Sequence, residues 1–149
     1  MILGLLIEGA VAALVSIVIA FLLSRFTRDI IGRGLLVIFL CIAAGAYFGF
    51  AIAADAGPVW TLVEVVQAVI FGTMALLGLR GSPWWLVAGW ASHPLWDIGL
   101  HYIGPGDSFA PFTYAIACAS FDLVVAAYIA IAYGLIGPRK LGFRKTREP

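Results

Sequence analysis

The stretch Ser92-His93-Pro94-Leu95-Trp96-Asp97-Ile98-Gly99-Leu100-His101-Tyr102 holds both histidines of the chain, with a carboxylate midway between them. It closes an apolar run over residues 84–102, about the length a helix needs to cross a bilayer core. In an α-helix each step of four residues overshoots a full turn by about 40°, so His93, Asp97 and His101 share one face within roughly 80°. An ionisable group in apolar surroundings is costly unless it is paired. That face is therefore the place to look for function.

The rest of the chain has the same character. Of its 149 residues 63% are hydrophobic and only 11% charged, with a mean hydropathy of +1.06. Soluble domains carry about 25% charged residues, so the composition is that of a membrane protein. Five runs are long enough to span: residues 2–23, 35–54, 59–79, 84–102 and 111–136. The expected fold is all-α, a polytopic bundle of five transmembrane helices over residues 1–138, followed by a basic cytoplasmic tail at 139–149. The first run has no basic segment before it and is longer than a signal-peptide core, which makes it a retained helix. Cys41 and Cys118 fall inside spans and read as packing residues. The net charge of +1 says nothing about nucleic acid, but there is no basic surface domain to bind it, so nucleic acid is not an expected partner.

All nine lysines and arginines fall after helix one, after helix three or in the tail. In a five-span chain these segments share one side, which the positive-inside rule makes cytoplasmic. The N-terminus is then outside and the C-terminus cytoplasmic, in a multi-pass protein of the cell (plasma or inner) membrane. Arg25, Arg28 and Arg33, with Asp29, are expected in a short loop. Small residues at Gly4, Ala12, Ser16 and Ala20, with Glu8 among them, form one stripe. Cys41, Gly45, Gly49 and Ala53 form another. Both are expected to pack inward or to support a homodimer.

Each remaining helix adds polar groups. Helix three places Trp60, Glu64, Gln67 and Phe71 on one face, and helix five aligns Tyr114, Cys118 and Asp122. Pro94 removes a backbone hydrogen bond beside His93 and is expected to kink helix four. At about 1.5 Å per residue, Glu8, Glu64 and Asp97 lie roughly 9 Å from the same ends of their helices. The expectation is one polar cavity opening outward, lined by Glu8, Glu64, Gln67, His93, Asp97, His101 and Asp122, with Tyr114 at its edge.

Imidazole and carboxylate together suit zinc, iron or manganese. His93, Asp97 and His101 are the candidate metal ligands, although the two histidines are roughly 12 Å apart along a straight helix. Glu64, Asp97 and Asp122 are the candidate catalytic carboxylates. The function these residues point to is an integral membrane enzyme acting on a lipidic or membrane-soluble substrate, with a divalent transition metal as its candidate cofactor. Acid–base chemistry without metal is open at this point. The alternatives are a proton- or cation-handling transporter or channel, or a cofactor-binding accessory subunit of a membrane complex. Membrane lipids and a lipid-soluble small molecule are the expected partners.

The pattern His93-Pro-Leu-Trp-Asp97-Ile-Gly-Leu-His101 resembles that of small uncharacterised bacterial integral membrane proteins with a His-Pro-x-x-Asp-x-x-x-His helix. The resemblance covers this helix and the overall size, and implies no activity. A more distant similarity is to zinc-dependent membrane hydrolases of the ceramidase and progestin-receptor-like group, which combine His-x-x-x-His with an Asp. Here Asp97 stands where the second histidine would fall.

Overall fold

A computed structural model describes residues 1–138 and 140–143, and these form helices joined by short turns. The helices are α1 (Ile2–Phe26), α2 (Asp29–Ala53), α3 (Pro58–Arg80), α4 (Pro83–Trp96) and α5 (Phe112–Ile129). Two of them run on in a wider π-helical winding, α4 through Asp97–Tyr102 and α5 through Ala130–Ile136. Four helical stretches are long and apolar enough to cross a membrane: Ile2–Phe26, Asp29–Ala53, Pro58–Arg80 and Phe112–Ile136. In the remaining one, α-geometry gives way at Asp97.

The turns explain the helix boundaries. Asp55 and Gly57 both adopt positive φ, and Pro58 then opens α3, where its fixed φ and missing N–H cost nothing. Ser82 caps α4 by accepting from Trp84 N, with Pro83 in the first turn. Short connections force neighbours in sequence to be antiparallel neighbours in space. Accordingly α1 packs on α2, α2 on α3, α3 on α4, α4 on α5, and α5 back on α1. The bundle is a closed ring.

Close packing depends on small residues, but of the stripe expected on helix one Ala20 alone is buried. Gly4, Glu8 and Ala12 are exposed, and α1 turns Gly9, Ala13, Ala20 and Ser24 inward. A Cβ on Gly9 would collide with the Ala117 carbonyl and Ser120 of α5, and one on Gly32 with Ala20 and Ser24. On α2, Cys41, Gly49 and Ala53 are exposed, and a Cβ on Gly45 would meet open space. That stripe faces outward. Leu36, Leu40, Ala44, Tyr47 and Ala51 face the core instead. The basic loop is also shorter than expected: α2 starts at Asp29, so Arg33 lies inside the helix with its guanidinium over the Tyr133 ring.

The core has two halves. Toward the end carrying Arg25, Arg28 and Arg80 it is filled by Leu36, Leu40, Leu86, Trp90, Val125 and Ile129, all fully buried. Near that end Ser24 and Tyr133 share a buried 2.8 Å hydrogen bond. Phe143 folds back beneath the helices, edge-on to Phe21 and beside Tyr133. The start of the expected basic tail is therefore part of the packed structure. Arg139, Arg144, Lys145 and Arg147 lie outside the described residues. The other half of the core is polar.

Candidate metal centre

Six of the polar side chains singled out in the sequence are buried together. Glu64, Gln67, His93, Asp97, His101 and Asp122 are each no more than 1% exposed. The expected cavity open to the outside is instead a closed site. The turn from Gly104 to Ala110 covers it, with Gly106 seated against the His101 ring so closely that a Cβ would overlap Nδ1. Glu8 stands apart, exposed on the outer side of α1.

The centre of the group lies between α4 and α5. His93 Nδ1 is 2.8 Å from Asp122 Oδ2 and 3.3 Å from Asp97 Oδ2. These three residues each offer a ligand atom, and the atoms lie within 4.8 Å of one another. Bonds of about 2.1 Å to a central ion place neighbouring ligand atoms about 3.0–3.4 Å apart, so the His93 spacings are close to the edges of a coordination polyhedron. Phe71 meets the His93 ring edge-on at 4.7 Å and closes one side.

A second pair lies nearer the covering turn. His101 Nε2 is 3.4 Å from Glu64 Oε1, and Trp96 Nε1 donates to Glu64 Oε2 at 3.3 Å. His101 Nδ1 is 3.4 Å from the Gly106 carbonyl. The Tyr47 ring stacks on His101 at 3.9 Å and 10°, and it lies 6.1 Å from the His93 ring. His101 therefore turns toward Glu64 and Tyr47, while Asp122 joins His93 and Asp97. The winding explains this separation: the π-helical segment begins at Asp97, and the one face expected for a straight helix ends there.

Many of these atoms lack hydrogen-bond partners among the described residues. Asp97 Oδ1, Asp122 Oδ1, His93 Nε2 and Gln67 Oε1 are buried without one, and Asp97 Oδ2, Glu64 Oε1 and His101 Nε2 have only the long 3.3–3.4 Å ion-pair contacts. Buried polar groups are ordinarily satisfied, and most of the unpartnered buried side-chain atoms among the described residues fall in this cluster. Charge points the same way. Three carboxylates face two imidazoles, and the described arginines Arg25, Arg28, Arg33 and Arg80 sit at or near the opposite helix ends. Protons or a cation must balance the excess. In this structure Gln67 has a structural task, since its Nε2 donates to the Ala44 carbonyl and ties α3 to α2.

Tyr47 did not stand out in the sequence. It was discoverable from the spacing Leu36, Leu40, Ala44, Tyr47, Ala51, which carries larger residues than the glycine stripe beside it. Trp96 and Gly106 carried no comparable signal. Tyr114, expected at the edge of the cavity, is half-buried, edge-on to Tyr47 at 5.6 Å, with its hydroxyl 3.5 Å from the Ala43 carbonyl.

Residues 8–135 match a family described as a family of unknown function, DUF6010, and the chain belongs to that family. The matched region contains all the site residues described above. No curated protein and no solved structure matches the chain.

Proposed function

We propose that the protein is an integral membrane metalloenzyme whose divalent ion is held by His93, Asp97 and Asp122 and whose substrate is membrane-soluble. The observation that carries this reading is the convergence of those three ligand atoms within 4.8 Å, wholly buried between two helices. One imidazole and two carboxylates form the mixed nitrogen–oxygen set that zinc, iron and manganese accept. Three protein ligands leave coordination positions free for water or substrate. An ion there acts as a Lewis acid and lowers the pKa of bound water. Glu64 and His101 supply an acid–base pair beside it.

In this account the stretch Pro83–Tyr102 is the fifth span despite its change of winding, since about 20 residues reach across a bilayer core. The N-terminus is outside, the arginine-bearing ends are cytoplasmic, and the membrane is the cell membrane. The apolar half of the core favours an enzyme over a transporter. Leu36, Leu40, Leu86, Trp90, Val125 and Ile129 fill the ring between the site and the basic end, where a conducting path would need polar groups.

The test is elemental analysis of detergent-purified protein prepared without chelator, beside His93→Ala, Asp97→Ala and Asp122→Ala. Near-stoichiometric zinc, iron or manganese in the wild type, lost in variants that keep their helical circular dichroism, supports the centre. Wild-type protein that carries no such ion and takes none up on addition overturns it. A screen of metal-loaded protein against neutral ester, amide and alcohol lipids then tests for turnover, with the metal-depleted variants as controls.

A further inference from the structure

A reaction site must admit something, and the walls around the buried cluster differ in what opening them would disturb. Toward the basic end the ring is filled by Leu36, Leu40, Leu86, Trp90, Val125 and Ile129, all fully buried. Beside His93 the Phe71 ring stands edge-on at 4.7 Å. Opening either wall would part packed helices. The wall at the end away from the arginines is different: it is the turn over residues 104–109, one short 3₁₀ winding between the end of the α4 stretch and α5.

This turn holds itself together more firmly than it holds the bundle. Asp107 N donates to the Gly104 carbonyl at 3.3 Å, Phe109 N and Ala110 N donate to the Gly106 carbonyl at 3.3 and 3.1 Å, and Ser108 Oγ donates to the Pro105 carbonyl at 3.0 Å. Those bonds are internal and survive a swing of the whole turn. The contacts that such a swing breaks are weaker. His101 Nδ1 faces the Gly106 carbonyl as a donor at 3.4 Å, longer than either backbone bond to that oxygen. The Phe109 ring lies between the rings of His101, edge-on at 5.4 Å, and Trp60 of α3, at 5.2 Å. Gly106 is buried on the inner side, while Pro105, Asp107 and Ser108 are exposed on the outer. Gly104, where a Cβ would overlap the Gly99 carbonyl, puts a small residue at the point where the chain leaves α4, as hinges often do.

We infer that the turn over residues 104–109 is a lid, latched by His101 and by the Phe109 ring, which lifts to open the buried cluster at the end of the bundle away from Arg25, Arg28 and Arg80. The inference rests on the reading of the cluster as a reaction site. The latch belongs to that site, since His101 Nε2 faces Glu64. Lifting uncovers His101 first, because His93 lies deeper, beside the Tyr47 and Phe71 rings.

The chain has two histidines and both are wholly buried, so their reaction with diethyl pyrocarbonate reports the opening. The test uses the full chain without a histidine tag in phosphatidylcholine nanodiscs. Peptide mapping gives the carbethoxylation rate at each histidine, and hydrogen exchange is followed over residues 104–109. In the wild type His101 should react at least fivefold faster than His93, and the turn should exchange faster than residues 36–51 of α2. Phe109→Ala and Trp60→Ala remove the two partners of one ring contact from different elements, and each should speed reaction at His101 at least tenfold. Phe112→Ala, an exposed ring just beyond the turn, should change it less than twofold. Equal rates at the two histidines in the wild type, exchange over the turn as slow as in α2, or a His101 rate within twofold of wild type in variants that keep their helical circular dichroism would each overturn the lid. The wild-type measurements decide the matter even where both variants fail to fold. Metal analysis of the same samples separates the two readings. Stoichiometric metal with no response at His101 removes the lid alone. A lid response in protein that neither holds nor takes up metal removes the metal centre alone.

Discussion

His93 and Asp122 meet across the α4–α5 interface with Nδ1 2.8 Å from Oδ2, both wholly buried. Asp97 approaches the same nitrogen from one turn further along the His93 helix, at 3.3 Å. One nitrogen thus faces two carboxylates from different helices. A proton on that nitrogen satisfies one carboxylate well; a divalent ion between the three satisfies all of them. The account follows from this geometry.

The first prediction concerns removal of one member. Asp122→Asn keeps the shape of the site and withdraws one charge. It should weaken metal retention at least tenfold in competition with a chromogenic chelator, while the helical content holds. Retention equal to that of the wild type would place the ion elsewhere.

Acid should release the metal. Imidazole and carboxylate bind an ion only when deprotonated, so lowering the pH weakens binding and raising it strengthens binding until the ligands are fully deprotonated. Chelator competition across pH 5 to 8 should show affinity rising with pH. A flat profile would contradict ligation by His93.

Gly106 is the contact that seats the covering turn on His101. Gly106→Ala forces a Cβ into the imidazole and should destabilise the protein by about 1–3 kcal/mol, as overpacking does. The lowered melting temperature is read in detergent by loss of ellipticity. A companion change at Gly99, where a Cβ meets open space, should cost less.

Two glycines separate packing from lipid exposure. Gly9→Leu drives a side chain into Ala117 and Ser120, and should open the ring between α1 and α5. Gly45→Leu enters open space and should leave stability within about 0.5 kcal/mol, the range of ordinary surface changes. Equal losses at both positions would mean that the stripe on α2 also packs.

The sequence made the helical bundle legible because apolar run length and turn residues are local signals. Pro58 and Pro83 each stand in the first turn of their helices. Glu64, Gln67 and Phe71 also proved to share one buried face. The polar cluster was legible for a different reason: an ionisable residue in an apolar helix has few places to go, and Glu64, His93, Asp97, His101 and Asp122 were conspicuous on that ground alone. Which of them meet was not legible. The change to π winding at Asp97 depends on how α4 packs, and it sends His101 to Glu64 while Asp122 joins His93. The small-residue stripes misled because spacing does not distinguish a face that touches a neighbouring helix from one that touches lipid. Gly9 and Gly45 look alike in sequence, and only the bundle tells them apart.

The most direct test of the central claim is X-ray absorption at the metal edge of protein purified without chelator. The account predicts one equivalent of ion with a first shell of nitrogen and oxygen at about 2.0–2.2 Å. It also predicts one imidazole in the outer-shell scattering, and the loss of that imidazole signal with the metal in His93→Ala. A sulfur shell, a shell with no imidazole, or an ion retained unchanged in His93→Ala would contradict it.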